Sequence, residues 1–404
     1  MTYDIDILIS GAGPAGLAAA CVLGAEGHRV MLVDPAPPVT GEDDPAADLR
    51  TTAVLQPARD LLARAGAWDG LGLHGVPLQV MRIADAATMP PVIRDFVSDD
   101  ISDAPFGWNL PNWLLRRALL ERVEALPTVH SRFDTAVAGL FTRSAGARVT
   151  LSDGTKIAAR LVVACDGRDS PLRAMAGIRA RTVRYGQTAI VFAVAHEMPH
   201  DNVSIEVHRA GGPFTLVPLP DRDGRHRSAV VWMDRDAEQT RRMEIDDNAF
   251  EAEVNNRSAD VMGNLTLVSR RAAWPILSRI ADRLTAPRLA LAAEAAHAMP
   301  PIGAQGLNTS LQDIAALRDL AAAGHEIGGS GMLAAYQRRR WPDIAARMAG
   351  IDMLNRTSIA GSNPLQRLRA TGIRALHDVA PLRRAVMRLG LGTPSTVSKT
   401  ETTL

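Results

Sequence analysis

The feature that most constrains the fold of this chain is residues 5–34, where four patterns follow one another without interruption. An apolar run over residues 5–9 leads into a glycine-rich turn and an alanine-rich helical pattern, and a second apolar run ends at Asp34. Short apolar runs of this kind are typical of buried parallel strands. The stretch therefore predicts a strand–turn–helix–strand unit of a doubly wound, Rossmann-type domain.

Each glycine of the turn has a physical reason. Gly11 permits a tight turn, Gly13 leaves room for a pyrophosphate to approach the backbone, and Gly16 lets the helix pack closely on the strand. The helix N-terminus offers unpaired N–H groups to phosphate, and Asp34 stands where a carboxylate accepts hydrogen bonds from an adenosine ribose. The predicted cofactor-binding residues of this unit are Gly11, Gly13, Pro14, Ala15, Gly16 and Asp34. The motif predicts a dinucleotide and does not distinguish FAD from NAD.

Composition excludes several classes of protein. The 404 residues are enough for two domains, and the net charge of +1 argues against a dedicated nucleic-acid binder. Two cysteines in apolar surroundings predict a reducing compartment without disulfides, and no Cys/His cluster has the spacing of a metal site. We find neither a signal peptide nor an apolar run near the ~20 residues of a membrane span. We therefore expect a cytoplasmic protein, or one that lies on a membrane surface.

The first part of the chain mixes loop, helix and strand patterns. Residues 35–49 are rich in proline and aspartate and predict a mobile loop, and we expect a helix to begin at Arg50. Short strand signals over residues 76–100 place that segment in a second, sheet-based domain. A hairpin with its turn at Asp153-Gly154 leads into another buried strand.

The central part predicts an antiparallel sheet, because short β-rich segments between residues 183 and 270 are separated by Gly, Pro and Asp turns. Residues 236–262 predict one polar helical insertion in this sheet. Helical patterns return between about residues 330 and 391, followed by a polar tail.

Three places in the chain lead from an apolar strand into a polar or glycine-rich turn. They are the turn at residues 11–16, Asp166-Gly167, and the loop at residues 294–308. Three such sites from distant segments favour a long, extended cofactor, so FAD fits better than a nucleotide held by one motif. The predicted units are an FAD-binding domain over residues 1–75, 107–182 and 274–335, a substrate domain over 76–106 and 183–273, and a C-terminal helical region over 336–404.

With these motifs in place, the chain resembles the FAD-dependent aromatic hydroxylases of the para-hydroxybenzoate hydroxylase fold. Within them it is most similar to the ubiquinone-biosynthesis hydroxylases of the UbiH/UbiF type. The resemblance extends over nearly the whole chain. It is carried by GAGPAGLAAA with Asp34, RTTAVLQPARDLLARAGAW at 50–68, Asn109 and Asn112, VVACDGRDSPLR at 162–173, VPLPDRDGRHRSAVVW at 217–232, the segment 274–308, and RATGIRALHDVAPLRRAVMRLGLG near the C-terminus.

The resemblance implies an α/β protein with a Rossmann-type FAD domain, an interleaved antiparallel-sheet substrate domain and C-terminal helices. It implies a monooxygenase that uses NAD(P)H and O₂, through a flavin C4a-hydroperoxide, to hydroxylate a polyprenylated phenol in ubiquinone biosynthesis. Two alternatives stay open: a hydroxylase of a small soluble aromatic or polyketide, and a non-catalytic FAD-fold scaffold in a biosynthetic complex. An NAD-linked dehydrogenase without flavin fits the three turn sites less well.

The resemblance also implies cofactor contacts outside the glycine turn. These are Arg50, Asn109, Asp166, Gly167, Glu294, Pro301, Gly303, Gln305, Gly306, Leu307 and Asn308. One departure concerns Ala293-Glu294, where the family has Gly-Asp, and another is Ala304, where glycine is common. A longer acid and two added Cβ atoms lead us to expect weaker FAD binding than is usual in the family.

Candidates for the chemistry are fewer. His297, inside the cofactor loop, and Arg50, near the flavin side, are the predicted catalytic residues, and the alternative for each is a purely structural role. Side chains of the second sheet would form an apolar wall for the substrate, or else plain sheet core. The candidates for this wall are Val191, Phe192, Phe214, Leu216 and Val217.

The segment from Gln337 to Arg388 is rich in arginine, with apolar residues between the charges. This pattern predicts amphipathic helices that pack on the first domain and keep a solvated basic face. The alternative is a surface for an anionic membrane or a partner protein, which would suit a lipid-tailed substrate.

Overall fold

The computed structural model describes residues 3–86, 92–209, 211–359 and 363–391, with side chains in the last range described from Thr371 onward. Strands within these residues form three sheets. Helices cover the sheets and continue to the end of the described chain. The predicted α/β class with C-terminal helices is therefore confirmed.

The strands, in chain order, are β1 Ile5–Ser10, β2 Val30–Val33, β3 Thr51–Leu55, β4 Val76–Leu78, β5 Val80–Asp85, β6 Val92–Val97, β7 Gly107–Pro111, β8 Val129–Arg132, β9 Val137–Arg143, β10 Gly146–Leu151, β11 Lys156–Ala164, β12 Ala180–His196, β13 Val203–Arg209, β14 Gly212–Arg222, β15 Arg225–Arg235, β16 Leu265–Leu267, β17 Ala272–Ala281, β18 Thr285–Ala286, β19 Leu289–Leu291 and β20 His297–Ala298.

The α-helices are α1 Pro14–Ala25, α2 Gln56–Arg64, α3 Asp69–Gly72, α4 Asn112–Glu124, α5 Pro171–Met175, α6 Asp236–Glu244, α7 Asp247–Ser258, α8 Gln305–Ala322, α9 Ser330–Ile359, α10 Asn363–Asp378 and α11 Ala380–Leu391.

The first sheet has the order β18-β19-β11-β1-β2-β8, and its pairs from β19 to β8 are parallel. The hairpin β9–β10 extends it from β11. Between β10 and β11 the chain turns at Asp153-Gly154, where Gly154 has a φ of +84°, so the predicted turn is confirmed. Helix α1 contacts both α4 and α8, and the apolar side chains of β1 are fully buried beside it.

The second sheet has the order β20-β17-β12-β15-β14-β13-β5-β6, with β16 paired to β12. The strands predicted between residues 183 and 233 are confirmed as parts of β12 to β15. The predicted single helix over residues 236–262 is wrong, because two helices occupy this region. Ile245, with φ −73° and ψ 155°, ends α6, and the Asp246 side chain accepts a hydrogen bond from the Ala249 N–H to cap α7.

A small third sheet, β3-β7-β4, contacts β14 of the second sheet and helix α8 of the first layer, and so connects the two large sheets. The helix predicted to begin at Arg50 is wrong at its start, because β3 occupies residues 51–55 and α2 begins only at Gln56. The β-branched residues of β3 favour an extended backbone, and pairing with β7 holds it there. Residues 76–78 also pair with β7, so β4 belongs to this connecting sheet rather than to the second sheet.

Helix α9 contacts both large sheets. In its first half, Met332, Leu333 and Tyr336 are buried in the core of the first sheet, and the Tyr336 hydroxyl donates to the Leu291 carbonyl. In its second half, the Asn355 amide donates to Gln187 of β12. Helix α10 packs on β6, and Arg383 of α11 pairs with Asp100, three residues after that strand. Among the helices described here, none is both long and apolar enough to cross a membrane.

Candidate active site

The glycine turn follows β1 and touches the segment after β11. Gly11 has a φ of +106°, and a Cβ on it would lie 2.3 Å from the Cys165 carbonyl oxygen. A Cβ on Gly16 would lie 1.8 Å from the Gly11 carbonyl oxygen. Only glycine fits at either position, because backbone atoms occupy the space of any side chain.

Gly13 faces open space instead. No atom lies within 4 Å of the place that its Cβ would take. The first N–H groups of α1, which begins at Pro14, lack acceptors within the helix. Beside this opening, the Asp34 carboxylate accepts hydrogen bonds from the Ala12 N–H at 2.6 Å and the Ala36 N–H at 3.0 Å. The turn therefore presents an uncovered backbone and a positive helix end to the same space.

Asp166 and Gly167 form the second turn. Asp166 Oδ2 accepts a hydrogen bond from the Leu172 N–H at 3.0 Å, whereas its Oδ1 is buried without a partner. Burial raises the pKa of Asp166 above its ordinary value. Gly167 has a φ of +85°, with nothing within 4 Å of its Cβ position. A buried carboxylate oxygen without a donor is costly unless a ligand supplies one.

The third turn runs from Ala293 to the start of α8. Pro301, Gly303 and Gly306 are exposed along it. Gly303 has a φ of +62°, and Ala304, the N-cap of α8, has a φ of +56°. The N-terminus of a second long helix therefore opens toward solvent beside these residues.

These three turns meet because they follow neighbouring strands. β1, β11 and β19 are adjacent and parallel, so their carboxyl ends lie at one edge of the sheet. Side chains join the turns directly. Arg168 Nε lies 3.5 Å from Glu294 Oε2, and Arg173 Nη1 donates to the Ala295 carbonyl at 2.8 Å. The sequence prediction that distant segments form one site is supported by this geometry.

Arg50 lies next to this site and is held on two sides. Its guanidinium donates to both carboxylate oxygens of Asp48, at 2.8 and 2.7 Å, and lies 4.3 Å from the centre of the Trp274 ring. Burial alone would raise the pKa of Asp48, but the bonds from Arg50 keep it below its ordinary value. Asp48 is buried, so the end of the predicted mobile loop is fixed rather than free.

Three of the predicted cofactor residues act as buried clamps. The Asn109 amide donates to the Pro218 carbonyl at 2.9 Å and so ties β7 to β14. The Asn308 side chain bonds both the Ala53 carbonyl and the Leu55 N–H of β3. The Gln305 amide donates to the carbonyls of Gly303 and Gly390. Leu307 packs, half-buried, against the first core. These side chains hold the site in shape, which leaves backbone atoms to face a cofactor.

His297 is enclosed in a buried ionic network. Its Nε2 lies 2.7 Å from Asp313 Oδ2, and Arg340 Nε donates to Asp313 Oδ1 at 2.7 Å. The same carboxylate accepts from the Ala293 N–H at 3.1 Å. Burial raises the pKa of Asp313, but the charges of His297 and Arg340 outweigh it and lower that pKa. Since His297 is only 2% exposed, this arrangement favours its structural alternative over proton transfer to a substrate.

The predicted substrate wall is divided between the two faces of the second sheet. Phe192, Phe214 and Leu216 belong to the core beneath α7, where Phe192 contacts Phe250 with ring centres 5.0 Å apart. These three therefore cannot line a cavity on the other face. Val191 and Val217 alternate with them along the strands and point to that other face.

A family model described as an FAD binding domain matches residues 4–349.

The chain belongs to this FAD-binding family. It is 34% identical over 397 residues to the ubiquinone hydroxylase UbiL of Rhodospirillum rubrum, covering 96% of this chain and 90% of that protein. It is 26% identical to the 3-demethoxyubiquinol 3-hydroxylase of Escherichia coli, and the match covers 96% of this chain and 98% of that protein. The p-nitrophenol 4-monooxygenase PnpA of Pseudomonas putida shares its fold, with a TM-score of 0.77, 20% identity, and coverage of 96% and 97%. The predicted FAD-dependent monooxygenase is thereby confirmed.

The residues of this FAD-dependent monooxygenase fit its cofactor at two independent points. The open space at Gly13 is one that a Cβ would fill. Asp166 Oδ1 is buried without a hydrogen-bond donor, and a cofactor hydroxyl group would supply one. Bound FAD would supply the redox chemistry, taking electrons from NAD(P)H and activating O₂ for transfer to an aromatic ring. The protein would hold and orient the cofactor and exclude water.

Sequence reasoning missed several partners of the residues that it named. Asp48 lies two residues before Arg50, in a segment whose composition suggested a loop. Asp313 and Arg340 lie on separate helices, and no motif links them. The available signal was an acid, Asp313, on the side of α8 that also buries Ile314 and Leu317, since a buried carboxylate needs a cationic partner.

Ala293→Gly and Ala304→Gly are expected to stabilise the protein and to tighten FAD binding. Both alanines have a φ near +55°, a conformation that costs an L-residue about 1–2 kcal/mol. Glycine removes this strain, but its greater conformational entropy in the unfolded chain offsets part of the gain. We expect a gain of about 1 kcal/mol for each. Urea unfolding and FAD fluorescence titration measure both effects, and Ala323→Gly, at a residue with φ −74°, is the control that should not stabilise.

Proposed function

We propose that this FAD-dependent monooxygenase hydroxylates the aromatic ring of a polyprenylated phenol in ubiquinone biosynthesis. The observation that carries the proposal is the 34% identity with the ubiquinone hydroxylase UbiL over 96% of the chain. The 3-demethoxyubiquinol 3-hydroxylase of Escherichia coli matches over the same share and has the same class of substrate in its name. A small aromatic substrate in general is consistent with every one of these relatives.

The proposed cofactor assignment follows the geometry of the three turns. Gly11, Gly13 and Gly16 with the start of α1 would hold the pyrophosphate, and Asp34 the adenosine ribose. Asp166-Gly167 and Glu294 would face the ribityl chain. The exposed backbone of Pro301, Gly303 and Gly306 would pass along the flavin ring, with Arg50 beside it.

An absorption spectrum of the purified protein, with and without added FAD, is the first test. Flavin bands that NAD(P)H bleaches and air restores are expected. Prenylated phenols should then give hydroxylated products that retain the tail, with ¹⁸O from O₂ in the new hydroxyl group. Hydroxylation of soluble phenols alone would contradict the prenylated substrate, and failure to bind FAD even in excess would favour the scaffold alternative.

We also propose that α11 contacts an anionic membrane surface, from which a lipid-tailed substrate would be taken. Its exposed apolar residues Leu382, Val386 and Leu389 recur at helical spacing on one side of the helix, and the exposed Val379 lies directly before its first residue. Arg384 and Arg388 are exposed on the same helix, and Arg383 attaches the helix to the rest of the protein through its ion pair with Asp100.

Co-sedimentation with vesicles of mixed neutral and anionic lipid tests this contact. We expect binding that falls at least several-fold in the Val386→Gln/Leu389→Gln double variant, since burial of apolar side chains drives it. Met353→Gln, which changes an exposed apolar residue of α9, is the matched control. Equal binding of all three proteins, or no binding, would contradict the proposal.

A further inference from the structure

A carboxylate and an imidazole form a pair on β13, away from the cofactor turns. Glu206 Oε1 lies 2.7 Å from His208 Nε2, and the two side chains are 18% and 10% exposed. Nothing in the sequence singles the pair out, because the two residues alternate with valine and isoleucine along an ordinary strand. Their burial nevertheless makes them unusual, since a carboxylate that is largely withdrawn from water needs a hydrogen-bond donor beside it.

The pair faces the cofactor side of the second sheet. Ile205 and Val207 pack in the core beneath α7, so Glu206 and His208 point to the opposite face. The strand register confirms this geometry, since Glu206 lies opposite Thr215 of β14, in the same cross-strand row as Val231 and Val191. The row next to it includes Trp274, whose ring stacks on Arg50.

Both members of the pair have unused hydrogen-bonding capacity. His208 Nδ1 is buried and has no partner, and no hydrogen bond to Glu206 Oε2 is present within the described part of the chain. Burial raises the pKa of Glu206, but His208 outweighs it and keeps that pKa below its ordinary value. Glu206 is therefore a carboxylate at neutral pH. Its Oε1 is held by His208, and its Oε2 is available to a hydrogen-bond donor.

We propose that Glu206 recognises the ring hydroxyl group of the phenolic substrate and that His208 is its positioning residue. This inference rests on the proposed function and adds a specificity-determining residue to it. The substrate O–H donates to Oε2, while His208 Nε2–H donates to Oε1 and fixes the carboxylate plane. No covalent bond breaks in this step. A hydrogen bond to a charged acceptor shifts electron density onto the phenolic oxygen and into the ring, which favours attack on an electrophilic oxygen atom.

Binding to the oxidised holoenzyme tests the inference without requiring turnover. The probes are a short-chain prenylphenol and its O-methyl ether, which differ only in the donor, and the readout is perturbation of the flavin absorption. We expect the wild type to prefer the phenol at least ten-fold, and Glu206→Gln to reduce this preference to less than three-fold. Glu197→Gln, at an exposed acid that follows β12, should keep the wild-type preference. FAD affinity should be the same in all three proteins.

His208 is tested by conservative and non-conservative replacement. His208→Gln retains an N–H for Oε1 and should keep most of the preference, whereas His208→Leu should lose it. A wild type without preference, or a Glu206→Gln variant that keeps it, would overturn the inference. If the wild type binds the phenol selectively but forms no hydroxylated product with NAD(P)H and O₂, the proposed function fails while the recognition by Glu206 stands.

Discussion

Gly16→Ala is expected to disrupt the N-terminal unit of the protein, whereas Gly13→Ala is expected to leave the apoprotein folded and to abolish FAD binding. The two changes add the same methyl group three residues apart in one motif. Their consequences differ because a Cβ on Gly16 would lie 1.8 Å from the Gly11 carbonyl oxygen, while one on Gly13 would meet no atom within 4 Å.

The size of each effect follows from what has to move. At Gly16 the helix must separate from the turn, and overpacking against backbone costs about 3 kcal/mol or more, which lowers the melting temperature of a chain of this length by about 4 °C. At Gly13 the backbone already has φ −69° and ψ 175°, which alanine adopts easily, so stability should change by less than about 1 kcal/mol. The new methyl group would occupy the space into which a pyrophosphate fits, and FAD affinity should fall at least 100-fold.

Thermal unfolding of the apoproteins and FAD titration separate the two outcomes. Gly27→Ala is a poor control because its φ is +86°, so Gly350→Ala, at an open position within α9 and outside the cofactor turns, is used for comparison of backbone effects. If Gly13→Ala bound FAD within three-fold of the wild type, the pyrophosphate would have to lie elsewhere.

Removing the charge of Arg340 is expected to give the largest loss of stability among single changes in the buried network. Arg340→Met leaves the Asp313 carboxylate in a fully buried site with His297 as its sole cationic neighbour among the contacts described for it. Breaking a buried pair in this way costs about 3–5 kcal/mol. Arg339→Met removes the exposed partner of Asp319 and, as a matched control, should cost less than about 1 kcal/mol.

The double variant Asp313→Leu/Arg340→Met distinguishes stability from positioning. Replacing both charges with apolar groups should restore much of the stability, because no unpaired charge remains. FAD affinity should nevertheless be lower than in the wild type, because the Ala293 N–H and His297 lose the acceptor that fixes the cofactor loop. Recovery of both properties together would contradict a positioning role for Asp313.

The pH dependence of this network has a definite sign. The pKa of Asp313 is lower in the folded protein than the ordinary value near 3.8, so the folded state resists its protonation. Its contribution is complete above the unfolded pKa and is lost as the pH falls below it. The difference in unfolding free energy between the wild type and Asp313→Asn should therefore shrink below about pH 4.

The parts of this fold that could be predicted are those whose causes are local. The Gly11–Gly16 turn, the hairpin at Asp153-Gly154 and the strand before Asp166 each depend on residues within a few positions of one another. The start of α2 was mispredicted because Thr51 to Leu55 pair with β7, which lies about fifty residues later. Separation in sequence also hides the partner of Asp313 on α9, which lies 27 residues later, and the hydrogen bond from Asn109 to Pro218 of β14, which spans 109 residues.

The residues of the candidate site also differ in whether their role depends on local conformation or on a distant partner. The residues that turn the backbone toward a cofactor were found from the sequence, because glycine and proline act through their own conformations. Residues that act through a distant partner were only half predicted. Glu294 was named as a site residue, but its contact with Arg168 was not predicted. For Phe192, Phe214 and Leu216 the strands could be predicted, but the face that α6 and α7 cover is decided only when the sheet is assembled.

Helix α9 limits the motions available to the protein. Thirty residues of one helix, with Pro342 inside it, contact the first sheet at one end and the second sheet at the other. Two layers joined by a continuous rod of about 45 Å cannot separate by a hinge without bending that rod or breaking its contacts. Substrate exchange therefore has to proceed by displacement of short segments within a fixed frame, so its rate should be insensitive to cross-links between the two layers.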